Sequence, residues 1–131
     1  MMAPDLAGTR ILVVEDDYLV ALGMIADLRD LGCIVDGPYP SSQEAIEALT
    51  RCPVDCALLD VNVRHGTSEG IARELCRRGV PYAFVSGYQH LDLLAKELTG
   101  VPQLSKPVVA GSLRRVLALM LSRDGPPVAA S

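Results

Sequence analysis

Five polar side chains stand where apolar runs stop: Glu15 and Asp16 after "ILVV", Asp60 after "CALL", Ser86 after "YAFV", and Lys106 after "QLS". Crowded carboxylates repel one another and resist ionisation unless a cation sits among them. A hard divalent ion with a preference for oxygen relieves that repulsion. Mg²⁺ suits the case, because it accepts a few carboxylates, keeps several waters and completes its shell with phosphate oxygens. The Lys106 ammonium adds a second positive point, and the Ser86 hydroxyl can donate a hydrogen bond. The set has the character of apparatus for phosphoryl transfer, where positioning and charge neutralisation carry most of the catalysis. Asp60 is the candidate nucleophile, since a carboxylate attacking phosphorus yields an acyl phosphate. No glycine-rich nucleotide loop is present, so the chain is expected to receive a phosphoryl group rather than take one from ATP.

An aspartate at a strand end is ordinarily a turn or cap residue, and that is the reading for Asp17, placed to cap the helix that follows it. Asp60 is read differently because of its company. "TRILVVE" (9–15), "CIVDG" (33–37), "VDCALLD" (54–60), "PYAFVSG" (81–87) and "PQLSK" (102–106) read as strands, the first with the β-branched apolar run of a strand buried on both faces. Between and after them fall helical patterns. The first carries apolar residues at Leu19, Leu22, Ile25, Ala26, Leu28 and Leu31 and stops at Gly32. The second opens on Ser41 or Ser42, with Ser41 and Glu44 at capping-box spacing. Others follow over 68–79 with Ser68 as cap, over 90–100, and over 109–122, where Leu113, Val116, Leu117 and Met120 face the core.

Five strands alternating with five helices imply an α/β fold, an open parallel sheet covered by helices on both faces. In such folds the ligand site lies beyond the carboxyl ends of the strands. That rule gathers Glu15, Asp16, Asp60, Ser86 and Lys106 on one rim.

The whole chain sets bounds on this. Its 131 residues suit one domain. Half of them are apolar, which excludes global disorder. A net charge of −4 argues against a general nucleic-acid surface, and no apolar run approaches the roughly 20 residues needed to span a bilayer. No signal peptide is read at the N-terminus, so the expected location is the cytoplasm. The cysteines form no CxxC pair, and Cys33, Cys56 and Cys76 read as small buried hydrophobes rather than zinc ligands. His65 and His90 read as surface residues, and the pairs Arg77–Arg78 and Arg114–Arg115 as solvated helix faces.

"ILVVEDD", "LLDVN", "FVSGY" and "LSKPV", in this order and at these spacings, resemble the receiver domain of two-component response regulators. The likeness covers residues 10–121. It implies a flavodoxin-like (βα)5 three-layer sandwich with strand order 2-1-3-4-5, a receiver domain over 10–122, an extension over 1–9 and a flexible tail over 123–131. It also implies roles. Asp60 is the phosphoacceptor and a metal ligand; Asp16 binds Mg²⁺ directly and Glu15 acts mainly through water. Asn62 offers its backbone carbonyl, Ser86 takes the switch hydroxyl position, and Lys106, followed by Pro107, contacts the phosphoryl group. The implied partners are a histidine kinase or histidine phosphotransfer protein and a downstream protein, with neither nucleic acid nor membrane. The implied activity is that of a switch that catalyses only its own phosphoryl transfer and dephosphorylation.

"GPYPSSQEAIEAL", "LLDVNVRHGTSEGIARELCRRGVPYAFVSGY" and "PQLSKPV" also resemble the single-domain FAT GUY receivers of alphaproteobacteria, with Val85 and Ser86 where that motif has Ala and Thr. Ordinary receivers carry Tyr or Phe three residues before the strand-five lysine. Gln103 stands there instead, and Tyr88 is expected to take over part of that signalling role. Two rival readings are a scaffold that is never phosphorylated and a small aspartate-nucleophile phosphatase. The phosphatase needs a second Asp two residues after the nucleophile, where this chain has Asn62.

Overall fold

The computed structural model describes residues 6–64, 66–87 and 101–122, with Asn62 described by its backbone alone. The elements run β1 (Arg10–Val14), α1 (Tyr18–Asp30), β2 (Ile34–Tyr39), α2 (Ser42–Arg51), β3 (Cys56–Asp60), β4 (Asn62–Val63), β5 (Gly66–Thr67), α3 (Glu69–Arg77), β6 (Tyr82–Ser86), β7 (Gln103–Ser105) and α4 (Ala110–Leu121). Five of the strands form one parallel sheet in the order β2-β1-β3-β6-β7. This is the expected order, with the short pair β4 and β5 left out of the count. The expected helix over 90–100, along with Tyr88, His65, His90 and the tail, lies outside the described residues.

The alternation of side chains along each strand divides the core in two. Leu12 and Val14 of β1, Ala57 and Leu59 of β3, and Tyr82 and Phe84 of β6 face α2 and α3, meeting Ala45, Leu49, Ile71 and Leu75. Their neighbours Ile11, Val13, Cys56, Leu58, Ala83 and Val85 point the other way, onto Met24 and Leu28 of α1 and Leu113 and Leu117 of α4. Both faces being covered explains why β1, β3 and β6 are nearly unbroken apolar runs. Each fully buried Leu, Ile or Val adds about 1.5–3 kcal/mol of transfer free energy. Cys33 and Cys56 are buried and Cys76 half-buried, and none of the three forms a disulfide. Burial first, then nearby negative charge, pushes the Cys56 thiol up to about 12, so it behaves as a core hydrophobe.

Three expectations change. The buried stripe of α1 is Ala21, Met24, Ile25 and Leu28, while Leu19 is 79% and Leu22 45% exposed. Positions 21, 24, 25 and 28 share helical spacing just as 19, 22 and 25 do, and packing on the sheet selects the first set. Ser68 stands at the N-cap position of α3 without a side-chain cap; its hydroxyl reaches back to the Val61 carbonyl. Strand β2 does not close at Gly37 but runs on to Tyr39. Its register with β1 slips between Leu12 and Val14, so the missing N–H of Pro38 falls where a bulge interrupts the ladder. Gly37 makes this possible, with φ +128 and its α-carbon pressed so close to β1 that a Cβ would sit 2.5 Å from the Val13 carbonyl oxygen.

Candidate functional site

The strands of the sheet centre deliver the polar groups of the carboxyl rim, two from β1 and one each from β3 and β6. Beyond β1 come Glu15, 2% exposed, and Asp16, which is exposed; β3 ends on Asp60, 7% exposed; β6 ends on Ser86, fully buried. Lys106 follows β7, and its N–H donates to the Ser86 carbonyl at 2.9 Å, tying the two positions together through the backbone. All five candidates on the rim therefore come together.

Their geometry is set by charge. The Lys106 ammonium donates to Asp60 Oδ2 at 3.1 Å and to Glu15 Oε1 at 3.3 Å, and lies 3.2 Å from Glu15 Oε2. Glu15 Oε1 also accepts the Asp17 N–H at 3.0 Å. Glu15, Asp16 and Asp60 each bring a carboxylate oxygen to within 4.8 Å of the others'. Two of these carboxylates, Glu15 and Asp60, thus share one ammonium, with Asp16 beside them. Burial, then the neighbouring Asp60 carboxylate, pushes the Glu15 carboxyl up to about 7 despite the Asp17 N–H and Lys106. Burial pulls the Lys106 ammonium down, but Asp60 and Glu15 outweigh it and hold it above its ordinary value. Asp17 stays out of the cluster: its Oδ1 accepts the N–H groups of Leu19 and Val20, the cap expected of it.

This donor set fits Mg²⁺. It is all oxygen, it carries more negative than positive charge, and the buried Glu15 Oε2 has no hydrogen-bond donor in line with it among the described residues. The loop that follows Asp60 is more ordered than its composition suggests. Asn62 and Val63 pair antiparallel with Thr67 and Gly66, forming a hairpin that places the Asn62 backbone two residues beyond Asp60. Two-residue strands carry no periodicity, so nothing in the residue pattern announces them. Ser86 Oγ is a second buried polar atom with no partner among the described residues.

Gln103, in the position where an aromatic residue was expected of the family, is half-buried on β7. It lines a surface groove with Pro107, Val109, Ser112, Arg115 and Val116.

No family profile matches the chain. Among curated proteins it is similar to the transcriptional regulatory protein PdtaR of Mycobacterium tuberculosis, 26% identical over 117 residues. That match takes in 87% of this chain and 57% of the relative, so the chain spans little more than half the length of the curated relatives it matches. Among solved structures, SdrG from Sphingomonas melonis Fr1 superposes with a TM-score of 0.77 at 30% identity, over 88% of this chain and 98% of that one. The signal receiver domain of a modulated diguanylate cyclase from Desulfovibrio desulfuricans G20 superposes with a TM-score of 0.76 at 27% identity, over 87% and 94% of the two chains. With a flavodoxin-like sheet, an acidic cluster on its carboxyl rim and these relatives, the chain belongs to the response regulator receiver domains.

Proposed function

We propose that this chain is a phosphorylation-controlled switch of a two-component phosphorelay, with Asp60 as the phosphoacceptor. The observation that carries this is the Lys106 ammonium held within 3.3 Å of both Asp60 and Glu15, beside three converging carboxylates. Glu15, Asp16, Asp60 and the backbone carbonyl of Asn62 would hold Mg²⁺. When bound, the ion neutralises the rim and screens the charge of an incoming phosphoryl group. An Asp60 carboxylate oxygen forms the new bond to phosphorus. The P–N bond to the imidazole of a histidine kinase or phosphotransfer protein breaks, its electron pair staying with the imidazole. Lys106 and Ser86 then contact phosphoryl oxygens, and the added charge shifts the population of the face formed by β7 and α4.

In this reading the protein turns over no substrate beyond its own phosphoryl group, works in the cytoplasm, and binds neither nucleic acid nor membrane. Output is a contact with a downstream protein, or removal of phosphate from the relay. Among the described residues no helix is long and apolar enough to cross a membrane. The test is incubation with acetyl phosphate or phosphoramidate and Mg²⁺, followed by intact mass. Wild type is expected to gain one phosphoryl group and Asp60→Asn none. A lack of any adduct on both refutes the reading and leaves the scaffold in its place.

A further inference from the structure

The residues that leave β2 grip both arms of the acidic cluster from outside. The Tyr39 carbonyl accepts the Glu15 N–H at 2.9 Å, and the Pro40 carbonyl accepts the Arg64 N–H at 2.8 Å. Ser42 Oγ donates to the Thr67 carbonyl at 2.9 Å and accepts the Ile71 N–H at 3.4 Å. Arg64 and Thr67 belong to the hairpin that starts at Asn62, two residues after Asp60. A single four-residue stretch, 39–42, therefore spans from the backbone of Glu15 to the loop behind Asp60.

Two adjacent serines in this stretch do different work. Ser41 caps α2, its Oγ accepting the Glu44 N–H at 3.3 Å. Ser42, the first residue of α2, turns away from its own helix and uses both its donor and its acceptor on the hairpin and the first turn of α3. Capping of its own helix does not explain it: the acceptor serves the open first turn of α3, and the donor is spent on the hairpin. The hairpin, in turn, needs outside support, since a lone two-stranded ribbon is marginal in water. The fit is close: a Cβ on Gly70, in that first turn of α3, would lie 3.6 Å from the Ser42 Cβ.

We propose that Ser42 is a positioning residue for the divalent-cation site, its hydroxyl fixing the β4–β5 hairpin, and with it the Asn62 carbonyl, relative to Glu15 and Asp60. This rests on reading Glu15, Asp16 and Asp60 as cation ligands. A group that orients a ligand through one intervening contact typically shifts metal affinity by about tenfold or more.

The experiment measures Mg²⁺ binding calorimetrically on the full chain at pH 8 for wild type, Ser41→Ala, Ser42→Ala and Ser42→Thr, with urea unfolding in EDTA for each. Ser42→Ala is expected to weaken Mg²⁺ binding about tenfold, at the low end for such groups, and Ser42→Thr to recover most of it by restoring the hydroxyl. Ser41→Ala is expected to lower unfolding stability through the lost cap while keeping wild-type Mg²⁺ affinity. In metal-free protein, the Arg64 amide is expected to exchange with solvent faster in Ser42→Ala than in Ser41→Ala. Ser42→Ala binding within twofold of wild type overturns the proposal, as does an equal loss in both alanine variants. Wild type that binds no Mg²⁺ overturns the metal-site reading itself, a result distinct from either.

Discussion

Replacing Glu15 by Gln is expected to stabilise the metal-free protein at pH 8 and to do so much less at pH 5. The Glu15 side chain is fully buried, and burial followed by the Asp60 carboxylate raises its carboxyl from 4.5 to about 7. The sign follows from proton counting. Between those two values the folded state holds a proton that the unfolded state has released, so the contribution of Glu15 to stability is greatest below about 4.5. It is lost progressively as pH rises through about 7. Gln imitates the neutral form, keeps an oxygen for the Asp17 N–H, and never ionises. At about 1.4 kcal/mol per unit, the shift sets a ceiling of about 3 kcal/mol on the gain at pH 8. The rim opens to solvent on the Asp16 side, and screening there reduces the working figure to about 2 kcal/mol. For a chain of this size that raises the melting temperature by about 6–10 °C.

Urea unfolding in EDTA at the two pH values measures the difference directly. Saturating Mg²⁺ should reverse the order, because wild type gains binding free energy that the Gln variant largely forgoes. A Gln variant no more stable than wild type at pH 8, or one equally stabilised at pH 5, refutes the reasoning.

Two further outcomes follow from the same geometry. Lys106→Met removes the cation that Asp60 and Glu15 share; with Lys106 already a quarter exposed and Glu15 able to take up a proton, the expected loss is about 1–2 kcal/mol at pH 8 and less at pH 5.5, measured by urea unfolding in EDTA, and equal losses at both pH values would contradict it. Gly37→Ala places a methyl 2.5 Å from the Val13 carbonyl oxygen at φ +128, so thermal unfolding should show a loss of about 3 kcal/mol; a change under about 0.5 kcal/mol would mean the bulge can relax.

The sheet was legible because its central strands are buried on both faces, and β-branched runs such as "ILVV" have few other places to go. The rim residues were legible for a related reason: a charged or hydroxyl side chain that ends such a run must emerge at the carboxyl edge. Phase on α1 was not, since Leu19 and Leu22 sit among enough apolar neighbours that two helical stripes compete. Sheet contact decides between them, and contact is not written locally. The β4–β5 hairpin and the continuation of β2 through Gly37 and Pro38 escaped for want of length and because a proline argues against a strand. Both depend on partners far along the chain: Val13 for Gly37, and Pro40 and Ser42 for the hairpin. The bond that links Lys106 to Glu15 joins residues 91 apart and was visible only as a shared strand end.

The lone hydroxyl of Ser86 gives the resting protein an asymmetry. Sealed from water and unmatched by any acceptor among the described residues, it raises the energy of the state in which nothing is bound at the rim. Under the proposed role of Asp60, an arriving phosphoryl oxygen would have no bond among the described residues to break in recruiting it. In that proposal the recruitment energy would go into the difference between the two states rather than into exchanging one partner for another. A hydroxyl already committed to a neighbour would blunt the proposed response; one with no partner among the described residues would sharpen it.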